Sequence, residues 1–403
     1  MSRVFIAGLG AVSPAGWNAT VLCEALDRGE PLPTQTVERP GWEKPLRARL
    51  VPNPAARPEF LAHPRLRRTS PITHYIVSAA LEAMARLRAN PDPKCRLGLV
   101  VCLQAGCVNY SCRFFDETLK DPATASPLLF PETVYAAPAS HVAAVLEKVS
   151  LACTLVGDPA AFLQGVSLGT QWLEENRVDM CLVIGAEETN WILADALWHL
   201  ERSAILTAGA GALCLCREPG LSAGIELAAI TDPQTYSAHL SRAQAARAMR
   251  DQLARSSAYK SERQPPARHD SDGNNSQHAG PEAGAPIARR MTPEGDSKVA
   301  PCPRELLCDG LGKSARADAP ELAAWRDWTG SRLSPKRILG EGLMAAAAWQ
   351  CVAACDAVAG GQFAAANVSL VGSNQQAIGA RFVHADSAIS HLSAGKSPGN
   401  IQS

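Results

Sequence analysis

The sequence predicts an α/β protein on a mostly parallel sheet covered by helices on both faces, and three observations carry that expectation. Short, almost continuously apolar strands alternate with longer stretches of helical periodicity, as in sheets buried on both sides. One helix-loop-strand pattern occurs twice, about half a chain apart. At 403 residues, 46% of them hydrophobic, the chain supports an ordinary core and, at roughly 100 to 200 residues per domain, about two to four domains or one large double domain.

Residues 4–12 (VFIAGLGAV) form an apolar run with glycines toward its end, the mark of a buried strand entering a loop. Residues 97–103, 180–185, 211–216 and 368–372 are further buried strands, and 76–88, 160–174, 241–255 and 343–359 have helical periodicity. The segment from Gly165 to Gly185 and the segment from Val352 to Gly372 each run helix, loop, strand, which points to an internal duplication. Residues 256–303 are polar, rich in Pro, Gly, Ser and Asn, and without periodicity. Such a segment buries too little apolar area to offset the entropy of ordering, so it is expected to be a disordered linker or insert between 1–255 and 304–403.

Thirty-nine basic and 39 acidic residues cancel, leaving no net field to attract nucleic acid or an anionic membrane. The N-terminal apolar run is too short for a secretory signal, and no run approaches the roughly 18 apolar residues of a membrane span. A cytoplasmic setting is therefore expected, with the thirteen cysteines reduced and mostly serving as small core residues.

Five stretches, in order, resemble the β-ketoacyl synthase family of the thiolase superfamily. They are VFIAGLGAVSPAGWN, RVDMCLVIGAEE, AILTAGAGALCL, DGLGKSARADAPELAAW, and SPKRILGEGLMAAAAWQCVAACDAV followed by VSLVGSNQQA. The resemblance spans nearly the whole chain outside 256–303. It implies a thiolase-like, duplicated five-layer αβαβα fold and dimerisation. It implies no bound cofactor or metal, only the phosphopantetheine arm of an acyl carrier protein.

The family's catalytic positions are where the match breaks. Its enzymes condense acyl thioesters with a cysteine at the N-terminus of a buried helix, where the macrodipole and backbone N–H groups stabilise thiolate and oxyanion, assisted by two histidines. By the resemblance that cysteine lies twenty residues before Asp179, which places Pro159 there. Asp158 and Pro159 read as a helix start, a capping carboxylate followed by proline at the first position. Asp309 stands in place of the first histidine, in DGLGK, and Glu341 in place of the second, after the retained Lys336. Asp318 and Glu321 match the family's D-x-x-E, and Gly372, Ser373 and Asn374 its G-x-N. The scaffold persists while Cys-His-His becomes Pro-Asp-Glu, so no catalytic residues are expected. Two carboxylates at Asp309 and Glu341 would repel a malonyl carboxylate, and bonding to Lys336 or backbone is their simplest role. Cys153, six residues before Pro159, is the one alternative nucleophile.

Other motifs have structural readings. Gly165, Ser167 and Gly169 spell G-x-S-x-G, but the serine falls inside the helix from 160 rather than on a strand-to-helix turn. Gly8, Gly10 and Ser13 lack the third glycine of a dinucleotide fingerprint. Cys214 and Cys216 alternate on a strand, and Cys351 and Cys355 share a helix face, with no histidine nearby for zinc. Arg65, Arg67 and Arg68 form a basic cluster, a solvated face or a dock for an acidic carrier protein.

The expected function is that of a catalytically silent ketosynthase-like subunit. It is similar to the chain-length factors that pair with an active ketosynthase in polyketide or fatty-acid-like biosynthesis. The expected partners are that ketosynthase or a second copy of this chain, and an acyl carrier protein. The alternatives are an acyltransferase or thioesterase with a rewired site using Cys153, Asp309 or Glu341, and a protein that sequesters acyl chains.

Overall fold

An 11-stranded sheet organises the chain, and its strand order shows the same five-stranded plan twice. A computed structural model describes residues 3–85, 94–221, 224–237, 239–262 and 305–385. The first half runs β1 (Phe5–Val12), α1 (Ala19–Arg28), β2 (Gln35–Val37), β3 (Leu46–Arg49), α2 (Pro71–Ala83), β4 (Leu97–Leu103), α3 (Val108–Lys120), α4 (Ala137–Leu146) and β5 (Val149–Val156). It continues with α5 (Ala161–Glu174), β6 (Met180–Glu187), α6 (Trp191–Leu200), β7 (Leu206–Thr207) and β8 (Gly209–Cys216). The second half is β9 (Ile225–Ile230), β10 (Gln234–Thr235), α7 (Arg242–Glu262), β11 (Glu305–Cys308), α8 (Ala315–Ala324), β12 (Ser331–Leu333), α9 (Pro335–Leu339), α10 (Met344–Ala359), β13 (Ala365–Val371) and β14 (Gln376–His384).

Read from one edge to the junction the strands are β5-β4-β6-β8-β1, and from the other edge β12-β11-β13-β14-β9. With β10 set aside, which pairs only with β14, each wing therefore places its third, second, fourth, fifth and first strands in the same order. In each wing the outer pairings are parallel and the inner ones antiparallel, so four strands point one way and one is reversed. The wings meet where β1 pairs antiparallel with β9, Phe5 opposite Glu226 and Ile6 opposite Ile225. The α5-to-β6 and α10-to-β13 units occupy equivalent places, as the repeated helix-loop-strand pattern predicts. The second plan opens at Ile225, so residues up to 255 already supply its first strand and much of its first helix. A small separate sheet, β2-β3-β7, lies beside α6.

α10 is buried nearly all round, which its alanine-rich sequence permits and a polar face would forbid. Its small side chains let the backbone come against β8: a Cβ on Gly211 would stand 2.7 Å from the Ala348 Cβ. Trp349, fully buried, satisfies its indole N–H by donating to the carbonyls of Val12 (3.1 Å) and Ala210 (3.0 Å). α5 packs on β4 and β6 through Gly165 and Gly169, whose missing side chains make room for the Cys102 and Cys181 sulfurs. The G-x-S-x-G spelling is thus a packing device, with Ser167 exposed in mid-helix. Gly8 and Gly10 likewise admit the carbonyls of Ala83 and Ala79 of α2 against β1.

Two helix bounds depart from the sequence expectation. The helix expected over 76–88 begins at Pro71, because Ser70 and Pro71 form a proline-led start that apolar periodicity alone overlooks; residues 86–93 lie outside the described residues. Its first turn is tied down by fully buried Glu188, which accepts from the Ser70 hydroxyl (2.6 Å) and Ile72 N–H (3.0 Å), and from Asn109 N–H (2.7 Å) at the start of α3. One carboxylate thus meets the positive ends of two helices. The helix expected to stop at 255 continues to Glu262, so the first residues of the expected 256–303 linker are helical; the rest of that linker lies outside the described residues. Among the described residues no helix is long and apolar enough to cross a membrane.

Gly10→Ala is expected to lower stability by about 2 to 3 kcal/mol, because its Cβ would enter the Ala79 carbonyl and α2 would have to withdraw from β1. Ser167→Ala, in an exposed mid-helix position, should stay within about 0.5 kcal/mol of the parent. Urea unfolding midpoints of the two variants check both.

Candidate functional site

Residues 157–160 turn the chain from β5 into α5, and Pro159 is buried in that turn, contributing neither a nucleophile nor a backbone N–H. The helix start expected at Pro159 is two residues off: α5 begins at Ala161 with Ala160 as its cap and no side-chain cap bond, because Asp158 and Pro159 belong to the preceding turn, where the Asp158 side chain reaches the facing loop instead. Asp158 Oδ2 accepts the Gln375 N–H (3.0 Å) while its own N–H donates to Gln375 Oε1 (3.0 Å), joining the two halves. Burial raises the Asp158 pKa, opposed by the backbone N–H groups of Gln375, Asn374, Ala160 and Gln376 around the carboxylate. The carboxylate lies where a side chain on Gly372 would be, so the G-x-N loop can close on it only with glycine there.

Val371 and Ser373, the neighbours of Gly372, line a cavity of about 90 Å³ that gathers several residues singled out by sequence. Asp318, Glu321, Lys336 and Glu341 all face it. Lys336 Nζ lies 2.8 Å from Glu341 Oε2, and Glu341 Oε1 accepts the N–H of Leu343 (2.9 Å), whose φ of 48° turns the chain into α10. The Glu341 backbone is clamped to the strand before it, donating to Ile205 O (2.8 Å) and accepting from Thr207 N–H (3.0 Å).

Asp309 follows β11 and is 0% exposed, behind the cavity rather than in it. It accepts from the Ser334 hydroxyl (2.5 Å) and Leu311 N–H (3.3 Å) and pairs with Arg332 (3.3 Å). Burial raises its pKa against those three donors. Both oxygens of Glu321 accept the Gly310 N–H at 3.2 Å. Burial, reinforced by the nearby Asp309 charge, pushes Glu321 up to about 8, so it is largely protonated at neutral pH.

Pro159, Asp309 and Glu341 are therefore each committed to fixed packing or hydrogen-bond partners. Cys153 sits apart, partly buried on edge strand β5 opposite Val100, and does not line the cavity. Among the described residues no cysteine or histidine lines it. Arg49, from β3, and Arg242, from the first turn of α7, do line it, and sequence reading did not single them out. Both arrive from distant elements, and neither stands in a local motif.

No protein-family model matches the chain, and no curated protein matches it in sequence. Solved structures do match. The ishigamide ketosynthase/chain length factor shares 14% identity over 95% of this chain and 99% of its own, with a TM-score of 0.69. A β-ketoacyl synthase from Burkholderia phymatum STM815 shares 15% over 95% and 100%, with a TM-score of 0.72. A chain from the complex of the ketosynthase ApeO with its chain length factor ApeC, from Xenorhabdus doucetiae, shares 12% over 95% and 98%, with a TM-score of 0.70.

The raised Glu321 pKa has a sign. Its contribution to stability is full below the unfolded value near 4.5 and is lost as pH climbs toward about 8, because folding disfavours the ionised form. Glu187, fully buried and pushed up to about 8 by burial, acts in the same direction. Glu321→Gln, which keeps the shape without the charge, should flatten the fall in stability between pH 5 and 8. Chemical denaturation across that range checks it.

The geometry of both wings and the agreement along nearly the full length lead to one conclusion: this chain has the thiolase-like α/β fold of β-ketoacyl synthases and ketosynthase/chain length factor proteins.

Proposed function

We propose that this chain is a catalytically silent ketosynthase-like subunit that pairs with an active ketosynthase, in the manner of a chain-length factor, in polyketide or fatty-acid-like biosynthesis. The observation that carries this reading is the state of the three chemical positions. At the helix start, proline removes both nucleophile and N–H, and Asp158 occupies the Gln375 N–H of the facing loop. Asp309 and Glu341 are engaged by Ser334, Arg332 and Lys336, and neither can serve as an imidazole would in assisting decarboxylation. An oxyanion formed beside Pro159 would meet a carboxylate.

The outer surface supports pairing. β5 is the edge of the sheet, with alternate residues partly exposed. α3, which packs on the turn at Phe130–Glu132, is strongly amphipathic yet has no buried residue, leaving Phe115 61% and Leu119 69% exposed. Leu128, Phe130, Val134 and Val156 add apolar surface, with the Phe114 and Phe130 rings 5.4 Å apart. Such a patch on a soluble fold marks an interface, and an open strand edge adds backbone donors and acceptors. The partner that fits is an active ketosynthase of the same fold, supplying cysteine and histidines. Exposed Arg65, Arg67 and Arg68 offer an acidic acyl carrier protein a local basic patch that the neutral net charge does not. The work falls in a reducing, cytoplasmic setting, in keeping with the free cysteines among the described residues.

Co-expression with a candidate ketosynthase should yield a stable heterodimer that changes product length, and Leu119→Asp should abolish it, read by size-exclusion chromatography with light scattering. Recovery of only a homodimer, with product length unchanged, would count against the reading. Incubation of the chain alone with acyl thioesters should give no covalent adduct by intact mass; an adduct on Cys153 would favour the rewired acyltransferase or thioesterase instead.

A further inference from the structure

The cavity beside Lys336 is charged in a way that pairing with a partner subunit does not explain. Five cationic side chains line it against four carboxylates. The carboxylates are all engaged: Glu341 by Lys336, Asp318 by Gly312 N–H (3.0 Å), Glu201 by the Ser203 and Ser314 hydroxyls, and Glu321 by Gly310 N–H. Four of the five cations have no carboxylate within ion-pair distance among the described residues: Arg49, Arg242, Lys313 and Arg337. Arg49 is the most telling, being 6% exposed. Its Nε donates to Leu32 O (2.7 Å), and among the described residues neither Nη group of the fork has a hydrogen-bond partner. Gly340 makes room for it, since a Cβ there would stand 3.3 Å from Arg49 Nη1. Burial alone shifts the Arg49 pKa, downward, as expected for a guanidinium with no counter-charge beside it.

Arg242 repeats the pattern. One Nη donates to Val371 O (3.3 Å), while its Nε is buried without a hydrogen-bond partner. A buried cation is costly unless paired, and a guanidinium fork matches the geometry of an oxyanion. At about 90 Å³ the space is well below the roughly 300 to 1,000 Å³ of drug-sized sites, but suits one small polar ion with water.

We propose that this cavity binds a small oxyanion, a phosphate or a short dicarboxylate, as the counter-ion of Arg49 and Arg242. Lys313 and Arg337, both exposed, also line the cavity and draw the anion in. The site stands apart from the assembly reading, since it requires neither a partner nor chemistry at Pro159.

The test is calorimetric titration of the purified full chain with inorganic phosphate and, separately, with succinate, each at ionic strength matched with chloride. Saturable binding of either is expected. Phosphate alone would assign a phosphorylated ligand, succinate alone a dicarboxylate, and both a shared oxyanion pocket. Arg242→Gln should weaken binding by about tenfold or more, as should Arg49→Gln if it folds, whereas Arg28→Gln at the end of α1 should leave it unchanged. Circular dichroism verifies the fold of each variant. Absence of saturable binding above chloride, or equal affinity in folded Arg242→Gln, would overturn the proposal.

Discussion

The close approach of α5 and α10 to the strands they cover is the constraint on which the rest of the structure depends. Both helices belong to the middle of the molecule, where there is no room for ordinary side chains. Alanines along α10 and Gly165 and Gly169 on α5 allow near-backbone contact, and Gly209 and Gly211 answer from β8. The two helix starts also cross over: Gly185 of the first repeat faces the Met344 carbonyl at the head of α10, and Gly372 of the second faces Asp158 at the head of α5. Each wing of the sheet therefore depends on the other wing's helix, and packing at near-crystalline density leaves little freedom to part them.

Buried carboxylates are the second recurring device. Glu82 accepts the N–H groups of Ala11 and Ala19, Glu187 those of Gln104 and Ala105, Glu188 those of Ile72 and Asn109, and Asp158 that of Gln375. These donors lie at helix starts (Ala19, Ile72, Asn109), in loops (Gln104, Ala105, Gln375) or, for Ala11, on β1, and an unpaired buried N–H costs more than an ordinary hydrogen bond contributes. Burial raises the pKa of all four, so their place in the fold is tied to pH as well as to geometry. Asp309 and Glu341, at the positions where the family resemblance implies histidines, likewise accept backbone N–H groups, from Leu311 and Leu343.

Much of the fold was legible because burial on both faces leaves a local signature. The strand over 97–103 matches residue for residue, and the helices expected from 160 and 343 begin one residue later than expected. The duplicated pattern was legible for the same reason, since each repeat carries its own helix-loop-strand periodicity. The decoy motifs were separable by context: a serine in mid-helix, glycines that meet helix carbonyls. Short or edge strands such as β12 and the small β2-β3-β7 sheet were not legible, having too few residues and too much exposure to carry a pattern.

The sequence by itself determined the fold class, the order of the buried elements, and the absence of cysteine and histidines at the three positions the resemblance singles out. Each of these is local, written in periodicity or in the identity of one residue within a motif. Tertiary structure alone decided which charges meet: that Asp309 is buried outside the cavity lining while Glu341 meets Lys336, that Glu188 holds two helices, and that Arg49 and Arg242 come from distant elements to one cavity. Pairings across hundreds of residues leave no periodic trace, because they are set by how the two wings dock and not by any segment's own preference.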